Sequence, residues 1–315
     1  MTTSADPDPA TLLDAARAGD RSALARLLSK AERGGDEARS VSAATSAVAG
    51  QATSVGITGA PGAGKSTLTS ALVREMRLSG VTVGVLAIDP SSPFTGGAIL
   101  GDRVRMDEHA LDNEVFIRSM ATRGHLGGLA VAVPDAVRVL DAAGMEWVVI
   151  ETVGVGQVEV DIAGEADTTV VVVTPGWGDT VQANKAGLME IADIFVVNKA
   201  DRAGVADTVG DLERMLSLRS VSGWRPPVIC TVATEGTGAD QLWTAIAQHG
   251  EWSRESGEFE RRRTLRSEQE LRRVVTTLLR ARVELVASGD AWIRACGDVA
   301  AHRVDPWTAA TELLG

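Results

Sequence analysis

Residues 59–66 read Gly59-Ala60-Pro61-Gly62-Ala63-Gly64-Lys65-Ser66, the spacing G-x-x-x-x-G-K-S. Chemistry follows from the residue types. Glycines let a loop turn its backbone N–H groups inward around phosphates. Lys65 brings a point charge to the β- and γ-phosphates, Ser66 offers a hydroxyl to Mg²⁺, and Thr67 can add a contact to the α-phosphate. The pattern needs a strand before it and a helix after it. The apolar SVGIT and the helical STLTSALVREMRL supply both, and the helix aims its positive end at the same anion.

A second site of chemistry lies at residues 198–201, Asn198-Lys199-Ala200-Asp201, after the apolar run IFVV. Asp201 can accept from N1–H and the exocyclic amine of guanine, a pair that adenine lacks. Asn198 can serve the O6/N7 edge, and the stem of Lys199 can cover the ring. A site built to hydrogen-bond one base rejects the other, because its polar groups are then left unpaired. Thr231, Val232, Ala233 and Thr234, after PVIC, stand where backbone amides can back the base. The implied ligands are GTP and GDP with Mg²⁺.

Mg²⁺ takes octahedral oxygen ligation, so carboxylates must join Ser66. VGVLAID ends in Asp89 and EWVVIE ends in Glu151, and strand C-terminal ends line the ligand crevice of an open α/β sheet. Asp102, in Gly-Asp-Arg, is a third candidate. Lys65, Glu151 and Asp102 are also the residues placed to act in catalysis. Glu151 to Gly154 reads E-T-V-G, a variant of D-x-x-G in which the Gly154 amide can sense the γ-phosphate. Many regulatory GTPases follow that glycine with a water-orienting glutamine. Here Val155 follows and the nearest glutamine is Gln157, so slow intrinsic hydrolysis is expected.

These residues need a scaffold. Short apolar, β-branched runs at 54–58, 81–88, 114–118, 147–153, 168–174, 194–198 and 228–232 alternate with helical stretches. Continuous apolar runs suit strands covered on both faces. The expected fold class is α/β: a mostly parallel central sheet wrapped by helices. Residues 1–50 read as a helical N-terminal extension, with Asp20 capping a second helix, 51–250 as the nucleotide domain, and 251–315 as a helical arm. In the arm Leu271, Val274, Val275, Leu278, Leu279, Val283 and Val286 form one stripe, an internal core or a dimer seam by period alone.

Composition narrows the classes. The chain has 315 residues, 44% hydrophobic and 23% charged, with net charge −11. That sum disfavours nucleic acid as a partner. The apolar runs fall well short of the ~20 residues a membrane span requires. The acidic N-terminus lacks a signal-peptide pattern, so a cytoplasmic protein is expected. Cys230 and Cys296 lie far apart and read as buried or semi-buried thiols of a reducing compartment. His109, His125, His249 and His302 form no cluster in the sequence, and Arg261 to Arg266 reads as a solvated helix interleaved with glutamates.

GAPGAGKST (59–67), DPSSPFTGGAILGDRVRM (89–106), MATRGHLGGLA (120–130), ETVGVGQVEVD (151–161), GDTVQANKAGLMEIAD (178–193) and NKAD (198–201) together carry a resemblance. The chain resembles the methylmalonyl-CoA mutase-associated GTPases, the MeaB, MMAA and ArgK group of SIMIBI-class P-loop GTPases. The resemblance implies slow GTP hydrolysis, homodimers through the C-terminal arm, and an adenosylcobalamin-dependent acyl-CoA mutase as partner, methylmalonyl-CoA mutase above all. There such a GTPase gates cofactor loading and protects the enzyme. It also implies switch segments at 89–106, 151–161 and 176–188, with Lys185 in the last a candidate for partner-triggered catalysis and Trp177 a partner anchor. Another acyl-CoA mutase or a metal centre is the alternative client, and an older label makes such proteins transport-system kinases. The Cys/His clusters of metal carriers are absent from this sequence.

Overall fold

The computed structural model describes residues 7–89, 106, 108–121, 132–152, 164–176, 187, 190–218 and 223–314. Seven strands form one parallel sheet: β1 (Thr53–Gly59), β2 (Val83–Asp89), β3 (Val115–Ala121), β4 (Trp147–Thr152), β5 (Thr168–Val173), β6 (Ile194–Asn198) and β7 (Val228–Thr231). Every expected strand is present, with ends shifted by three residues or fewer. The order is β3-β2-β4-β1-β5-β6-β7. From β1 the chain lays β2 and β3 on one side, returns to insert β4 between β2 and β1, and then places β5, β6 and β7 on the other side, which leaves a crevice at the C-terminal ends around β1.

The strands are apolar on both sides because both faces are covered. Helices α4 (Lys65–Leu78) and α7 (Ala239–Glu255) cover one face, where Leu68, Leu72 and Met76 meet Ile57, Val85, Val149 and Val172. On the other face lie α5 (Val133–Ala142) and the N-terminal helices α1 (Pro9–Arg17), α2 (Arg21–Arg33) and α3 (Gly35–Thr45). Leu24, Leu27 and Leu28 share a core there with Leu86, Ile88 and Leu140. Helix α6 (Val205–Ser217) closes a third cluster over β5 and β6 through Leu212 and Leu216. Asp20 caps α2, its Oδ1 accepting from the amides of Ser22 at 2.8 Å and Ala23 at 3.1 Å. Arg118 of β3 pairs with Glu32 of α2 at 2.5 Å, so the N-terminal helices also grip the edge strand.

One compact unit runs to Arg262, and a second comprises Arg263–Gly315. The helical run expected from 251 to 286 is broken. Helix α7 ends at Glu255, Gly257 turns at φ +76°, and α8 (Glu258–Ala287) begins anew. Arg262, expected on a solvated face, instead reaches inward. Its guanidinium grips the Asp193 carboxylate at 2.7 and 2.9 Å, and its Nε donates to the Glu258 carboxylate at 2.9 Å. Burial opposes the Asp193 charge, but His249 and Arg262 outweigh it and hold the carboxyl down to about 2. Arg261, against burial and helped by Arg262, brings Glu258 to about 2 as well. The same contacts raise Arg262 above its ordinary value despite its burial.

In the second unit α9 (Asp290–Ala300) and α10 (Pro306–Leu314) follow, with the Asp305 carboxylate capping α10. Helix α8 buries none of its residues. Leu271, Leu278 and Leu279 of its stripe are 58–64% exposed, which removes the internal-core reading of that stripe. Both cysteines are exposed, contrary to expectation. Cys230 lies on the edge strand β7, and Cys296 lies on α9, which has no buried residue.

Candidate functional site

The loop from Gly59 to Ser66 joins β1 to α4 at the crevice. Two glycines are dictated by contact. A Cβ on Gly59, at φ +136°, would lie 2.0 Å from the Val172 carbonyl oxygen of β5. One on Gly64, at φ +90°, would lie 2.4 Å from the Asn198 amide nitrogen. Gly64 also starts α4 with no side-chain cap. The first turn of α4 is therefore left to backbone amides and to the helix dipole, the arrangement that receives an anion. Lys65 is buried in its own loop, its Nζ donating to the carbonyls of Gly59 at 2.5 Å and Ala60 at 3.1 Å.

Glu151 stands level with Ile57 of β1 and Ala87 of β2 in the register. It is 1% exposed, and its Oε1 accepts from the Ser66 hydroxyl at 2.5 Å. The structure thus brings together a serine and a carboxylate that are 85 positions apart in sequence. Both are hard oxygen donors of the kind Mg²⁺ selects. Asp89 ends β2, one position past the Ile88–Thr152 pairing, on the same edge of the sheet. The candidate residues Asp102, Gly154 and Lys185, with His125 and Trp177, lie outside the described residues, and so does the side chain of Asp89. Among the described residues no cluster of three or more His, Cys, Asp or Glu side chains is placed to hold a metal.

The base motif sits at the end of β6. Asn198 is buried, and both ends of its amide are engaged. Its Nδ2 donates to the Ala63 carbonyl at 2.8 Å. Its Oδ1 accepts from the Thr231 hydroxyl at 3.0 Å and the Ala233 amide at 3.2 Å. Asn198 therefore ties the phosphate loop to the segment after β7. Lys199 holds φ +60°, a costly conformation for a residue with a Cβ. It is retained by two bonds, Ala200 N–H to Thr231 at 3.0 Å and Lys199 Nζ to Gly62 at 2.6 Å. The Lys199 stem thereby crosses from the base motif to the phosphate loop. Asp201 is exposed beside it, and Val232, Ala233 and Thr234 form the adjoining turn, with Val232 bridged to Thr237.

Thr231 was expected only as part of the segment whose backbone amides back the base, not for its hydroxyl. Its hydroxyl completes the Asn198 contacts, and only the pairing of Asn198 with Thr231 across β6 and β7 reveals it. His109 is buried, with Nε2 donating to the Ser70 carbonyl of α4 at 3.0 Å. His249 is buried against Thr168 and Asp193, far along the strands from the loop.

Comparison with known proteins places the chain among GTPases. The family model described as methylmalonyl-CoA mutase-associated GTPase MeaB matches residues 24–287. A Pyrococcus abyssi protein named as a GTPase is 49% identical over 307 residues, covering 96% of this chain and 95% of its own length. The fused isobutyryl-CoA mutase of Cupriavidus metallidurans is 39% identical over 210 residues, 65% of this chain and 19% of that much longer protein. The crystal structure titled LAO/AO transport system kinase superposes with a TM-score of 0.69 at 27% identity, covering 97% of this chain and 96% of that one.

Proposed function

The chain belongs to the family of methylmalonyl-CoA mutase-associated GTPases of the MeaB type, and from that premise we propose that its GTP hydrolysis serves an adenosylcobalamin-dependent acyl-CoA mutase. In this reading the protein gates loading of the cofactor and protects the mutase, with methylmalonyl-CoA mutase as the first-choice client. One observation carries the reading. A homologous region occurs within a single polypeptide named for an acyl-CoA mutase activity, the fused isobutyryl-CoA mutase. The same observation favours a second client class, an isobutyryl-type acyl-CoA mutase.

The residues divide the work as follows. The 59–66 loop and the start of α4 bind the phosphates, Lys65 neutralises charge on the β- and γ-phosphates, and Asp201 reads guanine. Ser66 and Glu151 would hold Mg²⁺, joined by Asp89 and Asp102. Bound there, the ion would act as a Lewis acid on the terminal phosphates. The Gly154 amide reports the γ-phosphate, and Lys185 contributes when a partner is present. No residue is assigned to orient water, so unaided hydrolysis is slow. The exposed Leu271, Leu278 and Leu279 stripe of α8 pairs with a second copy, making a homodimer. The compartment is the cytoplasm. No described helix is long and apolar enough to cross a membrane, which accords with that assignment.

The test is co-elution. The protein, mixed with methylmalonyl-CoA mutase or with isobutyryl-CoA mutase, is passed over a sizing column with GDP or with a non-hydrolysable GTP analogue. A stable complex with one mutase, altered by nucleotide state, is expected. Independent elution from both mutases in both states would refute the client assignment.

A further inference from the structure

Lys65 and Ser66 stand at the first turn of α4, so their placement is the placement of that helix. Its apolar face packs into the core through Leu68, Leu72 and Met76. Its polar contacts lie on a separate stripe. Ser66, Ser70 and Arg77 are four and seven positions apart, which puts them on one side of the helix. Ser66 meets Glu151. Ser70 and Arg77 both meet one short segment that leads into β3.

That segment is tied to α4 at two heights. The Ser70 hydroxyl donates to the Glu108 carboxylate, and the Ser70 carbonyl accepts from His109 Nε2 at 3.0 Å. His109 Nε2 also lies 3.5 Å from Glu108. Two turns further along, Arg77 Nε pairs with Asp112 at 2.9 Å, and Arg77 also bonds the Val81 carbonyl at 2.6 Å. Met106, just before the segment, is buried in the same core as Leu72 and Met76. The two ties are ~10 Å apart along the axis at 1.5 Å per residue, enough to fix both the slide and the roll of the helix.

We infer that Ser70, Glu108 and His109 are positioning residues for GTP hydrolysis, acting through α4 to set where Lys65 and Ser66 stand. The Ser70–Glu108 contact is one turn below Ser66 and is the tie nearest the reacting phosphate. A core face alone resists removal from the sheet but tolerates small sliding, whereas transfer chemistry is sensitive to displacements below 1 Å. Binding of GDP draws also on the base motif and on the loop ahead of α4, which this tie does not touch, so it is less sensitive than hydrolysis to a small slide of the helix. The inference rests on the nucleotide-site reading above and extends it to residues outside that site.

The test uses the full chain with Ser70→Ala, Glu108→Ala, the double variant and Glu108→Gln. Each is measured for GTP turnover, for affinity towards fluorescent GDP, and for thermal midpoint. Glu108 is half-exposed, so its truncation spares the core. The expected result is a fall in kcat of about tenfold in each single variant, with GDP affinity within about twofold of the parent. Because both substitutions break one contact, the double variant is no slower than the slower single. Glu108→Gln, which keeps an acceptor oxygen, recovers most of the rate. Parental turnover in both single variants would overturn the inference. So would loss of turnover that is additive in the double variant, or matched by loss of GDP affinity and thermal midpoint. Failure of the parent chain itself to bind GDP would instead fault the nucleotide-site reading.

Discussion

On the function proposed above, base choice turns on Asp201. It is exposed beside Lys199, whose strained backbone is held by bonds to Thr231 and Gly62. Asp201→Asn exchanges an acceptor for a donor at the position that meets the base. It should therefore move preference from guanine to xanthine nucleotides, with GTP affinity falling about a hundredfold, roughly the loss of two hydrogen bonds to a charged group at ~1.5 kcal/mol each. Competition binding with GTP and xanthosine triphosphate checks this, and a variant that still prefers GTP contradicts it. At this scale the phosphate loop and base motif were legible because their residues are close in sequence and their spacing is fixed by the ligand. The work of Asn198 was not legible. Its partners Ala63, Thr231 and Ala233 come from three separate segments, and only the folded sheet brings them to one amide. The Ser66–Glu151 contact fell between these cases: each residue was nominated separately, and the fold joined them.

Among the elements, the start of α8 depends most on a single charged contact. Arg262 spans Asp193 at the start of β6 and Glu258 in its own first turn. The folded-state values of Asp193 and Glu258 both lie near 2, below the ordinary 3.8 and 4.5. Both groups therefore stabilise the fold fully above the ordinary values, and that contribution drains away as pH falls from about 4.5 towards about 2. Urea unfolding across this window should show stability declining with acid, and Arg262→Met should flatten the decline. At neutral pH that variant leaves Asp193 without its guanidinium and should cost about 3 kcal/mol. A variant as stable as the parent, with an unchanged acid profile, would show that the clamp contributes nothing. Strands were legible as elements because parallel strands covered on both faces read as unbroken apolar runs, as in TTVVVV of β5. The boundary between α7 and α8 was not, since charged helical residues continue across Gly257 and its left-handed turn appears only in three dimensions. Arg262 looked like its solvated neighbours because its partner Asp193 is 69 positions away.

Across the whole chain, the N-terminal helices are part of the layer that covers the sheet, and the exposed stripe of α8 is unburied within the chain. Sequence alternation foretold the α/β class, while the burial of Leu24, Leu27 and Leu28 against Leu86 and Ile88 required the assembled core. The client proposed for the GTPase would be set by surfaces and partners rather than by the sheet. It is therefore less legible than the nucleotide, whose contacts are local. On the proposal above, GTP hydrolysis by this chain answers to an acyl-CoA mutase. The direct measurement is the steady-state rate of GTP hydrolysis by the purified protein, alone and with methylmalonyl-CoA mutase or isobutyryl-CoA mutase added. A slow rate is expected alone and, with the correct mutase, a rate well above the sum of the separate components. An unchanged rate with both mutases would contradict the proposal.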